Sequence, residues 1–468
     1  MPPKSTSPSS PFSVITTITL IFFLWGFTIG ENILFIPLLK AKFSLTNFQS
    51  HLVDFSFYVA YLFGSLLYLL IAIKRFSWLE NFGSRKVMIT GLLLSAIGTF
   101  CLVIATNTNS YLLLVSSFFT LALGFSTQQI VAHPLILKLG DELHSTSRLL
   151  LASGFHAFGI TITPPIVNSF IFDKISGSDL IISLSYLQPI YMTITCLYLF
   201  FAVCFYIMKL PPNEKTTKNT ISTGSVLQYP QLQMGMIAVF CCAGSETSLQ
   251  NNLPALIGSS KILNLQVKDA MHYFSLFGGS LMIGRWTAAA YNFNFTKYIS
   301  TLFLFLSPVV AFCILLLANG LNGTDLTQII DYLPFIFILP FVLLLSGKSP
   351  EKMLLYASIS SIALIYCSFF FTGKIGMYCI IAEANFSGLM WSCIFIISTK
   401  GLGKHMQQGA ALLLMMVLGG VLIPPLQGLM LDEDSIGTRN SFFLPIFFLL
   451  YVAVFAASRL PKKQPLTI

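Results

Sequence analysis

Charge is what this sequence has least of. Only 9% of its 468 residues are Asp, Glu, Lys or Arg, against 55% hydrophobic; a soluble domain carries roughly 25% charged residues. That shortage excludes an ordinary water-soluble protein and leaves a polytopic membrane protein. Informative cysteine spacing is missing too. The nine Cys form no CxxC pair, Cys241 and Cys242 are merely adjacent, and most lie inside apolar runs, so neither a disulfide framework nor a metal site is expected, and no cofactor is implied. Long polar loops are also lacking. The longest before the middle of the chain runs from Lys209 to Gln231. No loop is much longer than about 20 residues or holds a His/Cys cluster, which ranks a polytopic membrane glycosyltransferase low. No secretory signal is recognisable: MPPKSTSPSS is polar, and the apolar run after it is too long for a signal core and lacks a small-residue cleavage site. The formal charge of +9 points away from nucleic acid, because the cations lie in short loops between apolar runs, where they set orientation.

What is present is a series of apolar segments. The one that organises the chain is FFLWGFTIGENILFIPLLK, Phe22 to Lys40. A hydrocarbon core of ~30 Å needs about 20 helical residues, so Glu31 and Asn32 fall well inside it. Polar groups at that depth face a cavity or a partner rather than lipid. About fourteen segments meet the length criterion; the weakest, 332–347, is short and contains Pro334 and Pro340. With the N-terminus inside, cations such as Lys74, Arg85, Lys138, Arg148 and Lys400 fall on the inner side, and only a minority such as Lys40, Lys174 and Arg439 fall outside, as the positive-inside rule requires.

The Pro, Ser, Thr and Lys-rich stretch after the sixth segment reads as a linker, and the halves around it look duplicated. GITITPPIVNSFIFD (Gly159 to Asp173) parallels GGVLIPPLQGLMLDE (Gly419 to Glu433), aligning Pro164 and Pro165 with Pro424 and Pro425. Each pair is expected to kink its helix, and duplicated halves are common in transporters. The domain reading is a cytoplasmic tail at 1–12, an N-terminal six-helix bundle at 13–209, a cytoplasmic linker at 210–231, a C-terminal bundle at 232–459 and a second cytoplasmic tail at 460–468. The two termini are then both cytoplasmic.

Several stretches together resemble the fucose–proton symporter family of the major facilitator superfamily: FLWGFTIGENILFIP, FSLTNFQSHLVDFSFYVAYLFG, RLLLASGFHAFG, FCCAGSETS, IGRWTAAA, and IFIISTKGLGK followed by GGVLIPPLQG. The resemblance runs through most of the chain in order. It implies an all-α major-facilitator fold of two pseudo-symmetric six-helix bundles, sugar–proton symport, and a place in the plasma membrane, the inner membrane of a bacterium. The family has twelve helices; here residues 293–347 intervene between its eighth and ninth, which reads as a two-helix insertion and about 14 transmembrane helices, although a single re-entrant hairpin would preserve the downstream orientation equally. The resemblance also marks departures. Ile33 stands where the family's first helix has an Asp, Gln129 where its fourth has a Glu, and Ser153 and His156 where its fifth has Gln and Asn.

A sugar's hydroxyls call for amides, carboxylates and imidazoles in pairs, with an aromatic face against the ring. Proton coupling needs a group whose protonation changes with access, and a buried carboxyl qualifies because its charged form loses solvation. The substrate-binding candidates are Asn32, Gln128, Gln129, Ser153, His156, Glu246 and Trp391, with Trp25 as a second aromatic. Gln128 and Gln129 read equally well as interhelical hydrogen bonds, and a lone His in an apolar helix is more often a packing residue. Proton-coupling candidates are Glu31, Glu246 and His156; Glu31 is no simple replacement for the missing Asp, since a two-residue offset rotates it by about 200°. Glu383 is as readily structural as functional, and Asp54, one turn into its helix, reads as a hydrated structural acid. Arg285 is expected to lock the halves by bonding a helix carbonyl or carboxylate, and Pro164, Pro165, Pro424 and Pro425 to supply gating kinks. The function expected is transport of a small neutral sugar by a monomer in the lipid bilayer, with proton symport. An uncoupled facilitator and a carrier of a non-sugar solute are the alternatives.

Overall fold

The computed structural model describes residues 10–42, 47–73, 78–108, 110–171, 187–208, 210, 226–258, 267–321, 326–371, 373–432 and 440–461. Most of both expected tails, most of the linker, and the side chains of Ile33 and Asp54 lie outside the described residues.

Hydrocarbon offers the backbone no hydrogen-bond partner, so an apolar chain of this length must satisfy its peptide groups within helices. All the regular structure described is helical. The first six helices are α1 (Pro11–Lys42), α2 (Asn47–Ile73), α3 (Trp78–Thr108), α4 (Tyr111–Lys138), α5 (Ser145–Ile171) and α6 (Gln188–Ile207). After the linker come α7 (Pro230–Gly258), α8 (Val267–Asn292), α9 (Lys297–Gly320), the single turn α10 (Thr327–Ile330), α11 (Ile338–Ser346), α12 (Pro350–Ser368), α13 (Lys374–Thr399), α14 (Met406–Met415), α15 (Gly419–Asp432) and α16 (Phe443–Ser458). Among the described residues nine helices are long and apolar enough to cross a membrane, with two shorter apolar ones at Phe55–Leu70 and Phe443–Ser458. Helices α7 and α8 miss that hydropathy standard; they carry Glu246, Gln250, Asn252 and Arg285, whose polarity belongs to an interior face.

The pairing of helices repeats. In the first half α1 packs on α5, α2 on α4, and α3 on both α4 and α6; in the second, α7 packs on α15, α8 on α13, and α12 on both α13 and α16. The correspondence holds when α9 to α11 are passed over. The two sets meet where α5 crosses α8 and α2 crosses α14. Helix α9 lies against α8, and α11 against α12. Between α10 and α11 the chain tightens into a 3-10 turn at Leu333–Phe337, where Pro334 falls.

Both proline pairs lie inside continuous helix. Helix α5 runs unbroken through Pro164 and Pro165. In the second half the interruption is a 3-10 turn at Met416–Leu418, ahead of Pro424 and Pro425, which lie within α15.

Close approach of α8 and α13 depends on a missing side chain. A Cβ on Gly284 would lie 2.0 Å from the Asn385 carbonyl oxygen, whereas one on Gly278 would meet nothing nearer than 3.6 Å. Gly284→Ala is therefore expected to destabilise the protein by roughly 1–3 kcal/mol through overpacking. Gly278→Ala should be neutral or gain up to about 1 kcal/mol of helix propensity. Thermal unfolding of the two variants purified in detergent separates the cases.

Candidate functional site

The helix crossings between the halves hold a buried cation. Arg285 on α8 is only 7% exposed, and it turns its guanidinium to three other helices. Its Nε donates to the Gly388 carbonyl of α13 at 2.7 Å, and its Nη1 donates to the Ser153 carbonyl of α5 at 3.1 Å. The same Nη1 is 3.3 Å from His156 Nδ1, and Nη2 is 3.9 Å from Glu246 Oε1 on α7. Ser392 Oγ of α13 adds a bond to Ser153 Oγ at 3.2 Å. Beside this cluster the next residue, Trp286, fills the place of the absent Gly154 side chain; a Cβ there would lie 2.1 Å from its Cδ1. Ser153, His156, Glu246 and Arg285, far apart in sequence, are thus one constellation bridging the two halves.

A second contact between the halves is aromatic. His133 of α4 is 3% exposed, and its Nδ1 donates to the Gln129 carbonyl at 3.0 Å. Its ring centroid lies 5.2 Å from that of Phe395 and 6.1 Å from that of Trp391, both on α13. Trp391 also packs on Ile130, Ala411 and Leu414 with Tyr68 and Leu69, so it belongs to an apolar layer spanning both halves. Gln407 Nε2 at the start of α14 donates to Ser84 Oγ of α3 at 3.3 Å. These contacts gather toward the end of the molecule where α4, α8 and α13 finish and α5 and α14 begin.

Amides tie the first half together. Trp25 Nε1 donates to Gln128 Oε1 at 2.9 Å, and Gln128 Nε2 donates to Ser95 Oγ at 2.8 Å, joining α1, α4 and α3. Gln129 Nε2 donates to the Tyr61 hydroxyl of α2 at 3.0 Å. Gln128 is thereby engaged at both ends of its amide, while Gln129 uses one.

Three further polar residues stand apart. Glu31 is fully buried, and neither carboxylate oxygen has a hydrogen-bond partner among the described residues. Its charge acts on Tyr191 and Tyr198 of α6, so it points away from the crossing of the halves. The neighbouring Asn32 is 7% exposed, with its Oδ1 unbonded among the described residues. Glu383 on α13 is fully buried near Ser361 and Ser387, within electrostatic reach of Glu246. A narrow cleft between α1, α5 and α8 is lined by Gly30, Thr161, Pro164, Phe274 and Gly278 among others. No group of three or more His, Cys, Asp or Glu suited to a metal occurs among the described residues.

Sequence reasoning passed over His133, although it lies four residues after Gln129 and so on the same face of α4. It also passed over Tyr332. That hydroxyl, between α10 and α11, accepts from Ser280 Oγ at 2.9 Å and from Asn385 Nδ2 at 2.8 Å. No pattern in the sequence connects those three residues.

The chain matches the family model described as Major Facilitator Superfamily over residues 16–342. It is 27% identical over 444 residues to a glucose/galactose transporter of Brucella abortus, covering 94% of this chain and 92% of that protein. A putative glucose/galactose transporter of Helicobacter pylori is 24% identical over 462 residues, 96% of this chain and 97% of that one. The L-fucose-proton symporter of Escherichia coli is 24% identical over 480 residues, 97% of this chain and 94% of its own. Among solved structures, a Major Facilitator Superfamily transporter captured in the outward conformation superposes with a TM-score of 0.73 at 20% identity, covering 97% of this chain and 100% of that one.

The Trp25–Gln128–Ser95 chain of bonds gives a stability test. Trp25→Phe keeps the ring but strands the buried Gln128 acceptor, a loss of about 1–3 kcal/mol. The double change Trp25→Phe with Gln128→Leu removes both partners and should recover part of it. Melting midpoints of the single and double variants in detergent report the difference.

Proposed function

The chain belongs to the major facilitator superfamily, and from that premise we propose that it carries a small neutral sugar of the hexose or fucose type across the membrane by alternating access, with proton symport. It is an all-helical integral membrane transporter, not an enzyme. The sugar is supported by relatives named as glucose/galactose transporters and L-fucose-proton symporters, matched along nearly their whole lengths. A mechanism of alternating access is supported by one observation above the others: the guanidinium of Arg285 holds a helix of the opposite half through backbone and imidazole acceptors. Bonds of that kind can be made in one arrangement of two rigid bundles and released in the other.

In this reading the bundles span 13–209 and 232–459, joined by a cytoplasmic linker at 210–231. Residues 293–347 form a hairpin inserted into the second bundle, making 14 spans. The hairpin reading is supported by the pairing pattern that repeats once α9 to α11 are passed over. The protein works as a monomer in the plasma membrane, the inner membrane of a bacterium, with both termini in the cytoplasm. Solute contacts fall to Asn32, Gln129, Ser153, His156, Glu246 and Trp391. Gln128 contributes by holding Trp25, since its amide is already engaged at both ends. Coupling falls to an acid or imidazole other than the family's own, among Glu31, Glu246 and His156. A second reading, an uncoupled facilitator, draws on the uncharged Ile33 and Gln129 at two positions where symporters of the resembled family carry acids.

Uptake of a panel of radiolabelled hexoses, deoxyhexoses and unrelated solutes into proteoliposomes, with and without an inward proton gradient, decides between them. The expected outcome is accumulation of one sugar above equilibrium only with the gradient. Entry that stops at equilibrium would establish the facilitator, and transport of a different solute alone would remove the sugar.

A further inference from the structure

We propose that Glu246 and Glu383 form a proton-binding carboxyl pair, and that filling it with protons frees Arg285 from α5 and opens the end of the molecule that Arg285 closes. The inference rests on the alternating-access reading and adds to it a coupling site placed wholly in the second half, with a mechanical consequence.

The second half places one carboxyl beside Arg285, Glu246 on α7, and a second, Glu383 on α13, behind it. Glu246 lies 3.9 Å from the guanidinium, and Glu383 is within electrostatic reach of Glu246. Cys242, one turn before Glu246, feels both acids and Arg285. Two carboxylates within reach of each other, with one guanidinium beside Glu246, leave an uncompensated negative charge away from water, which one proton cancels. A second proton leaves the guanidinium without a counter-ion. A buried unpaired cation is strongly unfavourable, and the opening of the crossing is what brings water to it. Each protonation adds a proton from water to a carboxylate oxygen and breaks no covalent bond.

Geometry gives the two acids different parts. Glu246 keeps 20% of its side chain exposed, so a proton can reach it from the space between the bundles. Glu383 is sealed, with Ser361 and Ser387 beside it, and it can hold a proton away from water. Arg285 is the element that moves, because its Nη1 bonds are the ones that cross to Ser153 and His156 on the other half. Its Nε bond to Gly388 stays within the second half.

Other groups around the pair define the controls. His156 of α5 is a titratable neighbour of Arg285, and its protonation would also repel the guanidinium. Against α7, α14 carries no titratable side chain, α15 has only Asp432 at its far end, and α16 has Tyr451, which donates to the Met234 carbonyl. Against α13, α12 brings Glu351, already paired with Lys400. Tyr332 lies between α10 and α11, while Tyr378 and Cys379 are on α13 itself. Glu31 belongs to the α1–α6 contact in the other half.

The test reads the opening directly and needs no solute. Spin labels carried on unnatural side chains at positions 84 and 407, where α3 and α14 touch at the closed end, report the distance between the halves in full-length protein in liposomes. As pH falls from about 8 to about 5, the ratio of long to short distances is expected to rise roughly tenfold, the change that one unit of differential proton affinity produces. In Glu246→Gln with Glu383→Gln the ratio should be high and flat with pH. Glu31→Gln should titrate like the parent, and His156→Asn, which removes an Arg285 acceptor as well as a titratable neighbour, should keep the pH-dependent rise from a higher starting ratio. Glu246→Asp with Glu383→Asp keeps both acids and should titrate with a displaced midpoint, which guards against a glutamine variant that fails to fold. A flat parent, an unchanged titration in the double glutamine variant, or a titration abolished by His156→Asn would each overturn the proposal. Failure of sugar uptake would sink the sugar reading while leaving this measurement unaffected. Gradient-driven uptake alongside a flat parent titration would sink only the carboxyl pair.

Discussion

A guanidinium shut away from water must find acceptors, and the crossing of the two halves is built around that need. Arg285 has five N–H donors in a planar fork; it donates to carbonyls of α5 and α13 and to the imidazole of His156, with the carboxylate of Glu246 3.9 Å away as its counter-charge. Lysine could not replace it, because a single ammonium on a flexible stem cannot hold two carbonyls in fixed directions. The short reach of those bonds needs backbones that come close. That closeness is what Gly284 provides against Asn385 on the same side of the crossing, and Gly154 against Trp286 on the other. Polar satisfaction and small-residue packing are here two aspects of one constraint.

The first half handles its polar groups differently. Its amides are neutral and paired in chains, Trp25 to Gln128 to Ser95 and Gln129 to Tyr61, which fix helix against helix within one bundle. Such interhelical bonds are individually modest in a membrane, but they tie Gln128 and Gln129 to helices of their own half. Glu31 and the Oδ1 of Asn32 are exceptions on α1, with no hydrogen-bond partner among the described residues. The charges that can bind or release the other half are concentrated on α7, α8 and α13.

Much of this was legible in the sequence, and the reasons are physical. An apolar run long enough to span a bilayer announces itself, and an arginine within one has to find acceptors, so the role of Arg285 could be anticipated from residue type and depth. Its partners could not. Ser153 and Gly388 act through backbone carbonyls, which every residue has and no motif marks. His133 was passed over because a single histidine in an apolar helix carries no information until its neighbours are known; Trp391 and Phe395 come to it from more than 250 positions along the chain. Both proline pairs lie inside continuous helix, and the break of the second half falls at Met416–Leu418, ahead of its pair. A proline removes one backbone donor but does not decide whether its neighbours compensate.

The tyrosine between α10 and α11 has a mechanical consequence. Its hydroxyl accepts from α8 and α13 together, so the segment from α9 to α11 is bolted to the two helices that carry Arg285, Gly388 and Glu383. Helix α9 turns Leu302, Phe303, Leu306 and Val310 outward, where hydrocarbon surrounds them. The second half therefore drags a wider perimeter through the lipid than the first. When two joined bodies rotate against each other in a viscous sheet, the one with less perimeter turns further. In the two-bundle reading proposed above, the first half is then the rotor and the second the stator, and the acids beside Arg285 ride on the part that moves least.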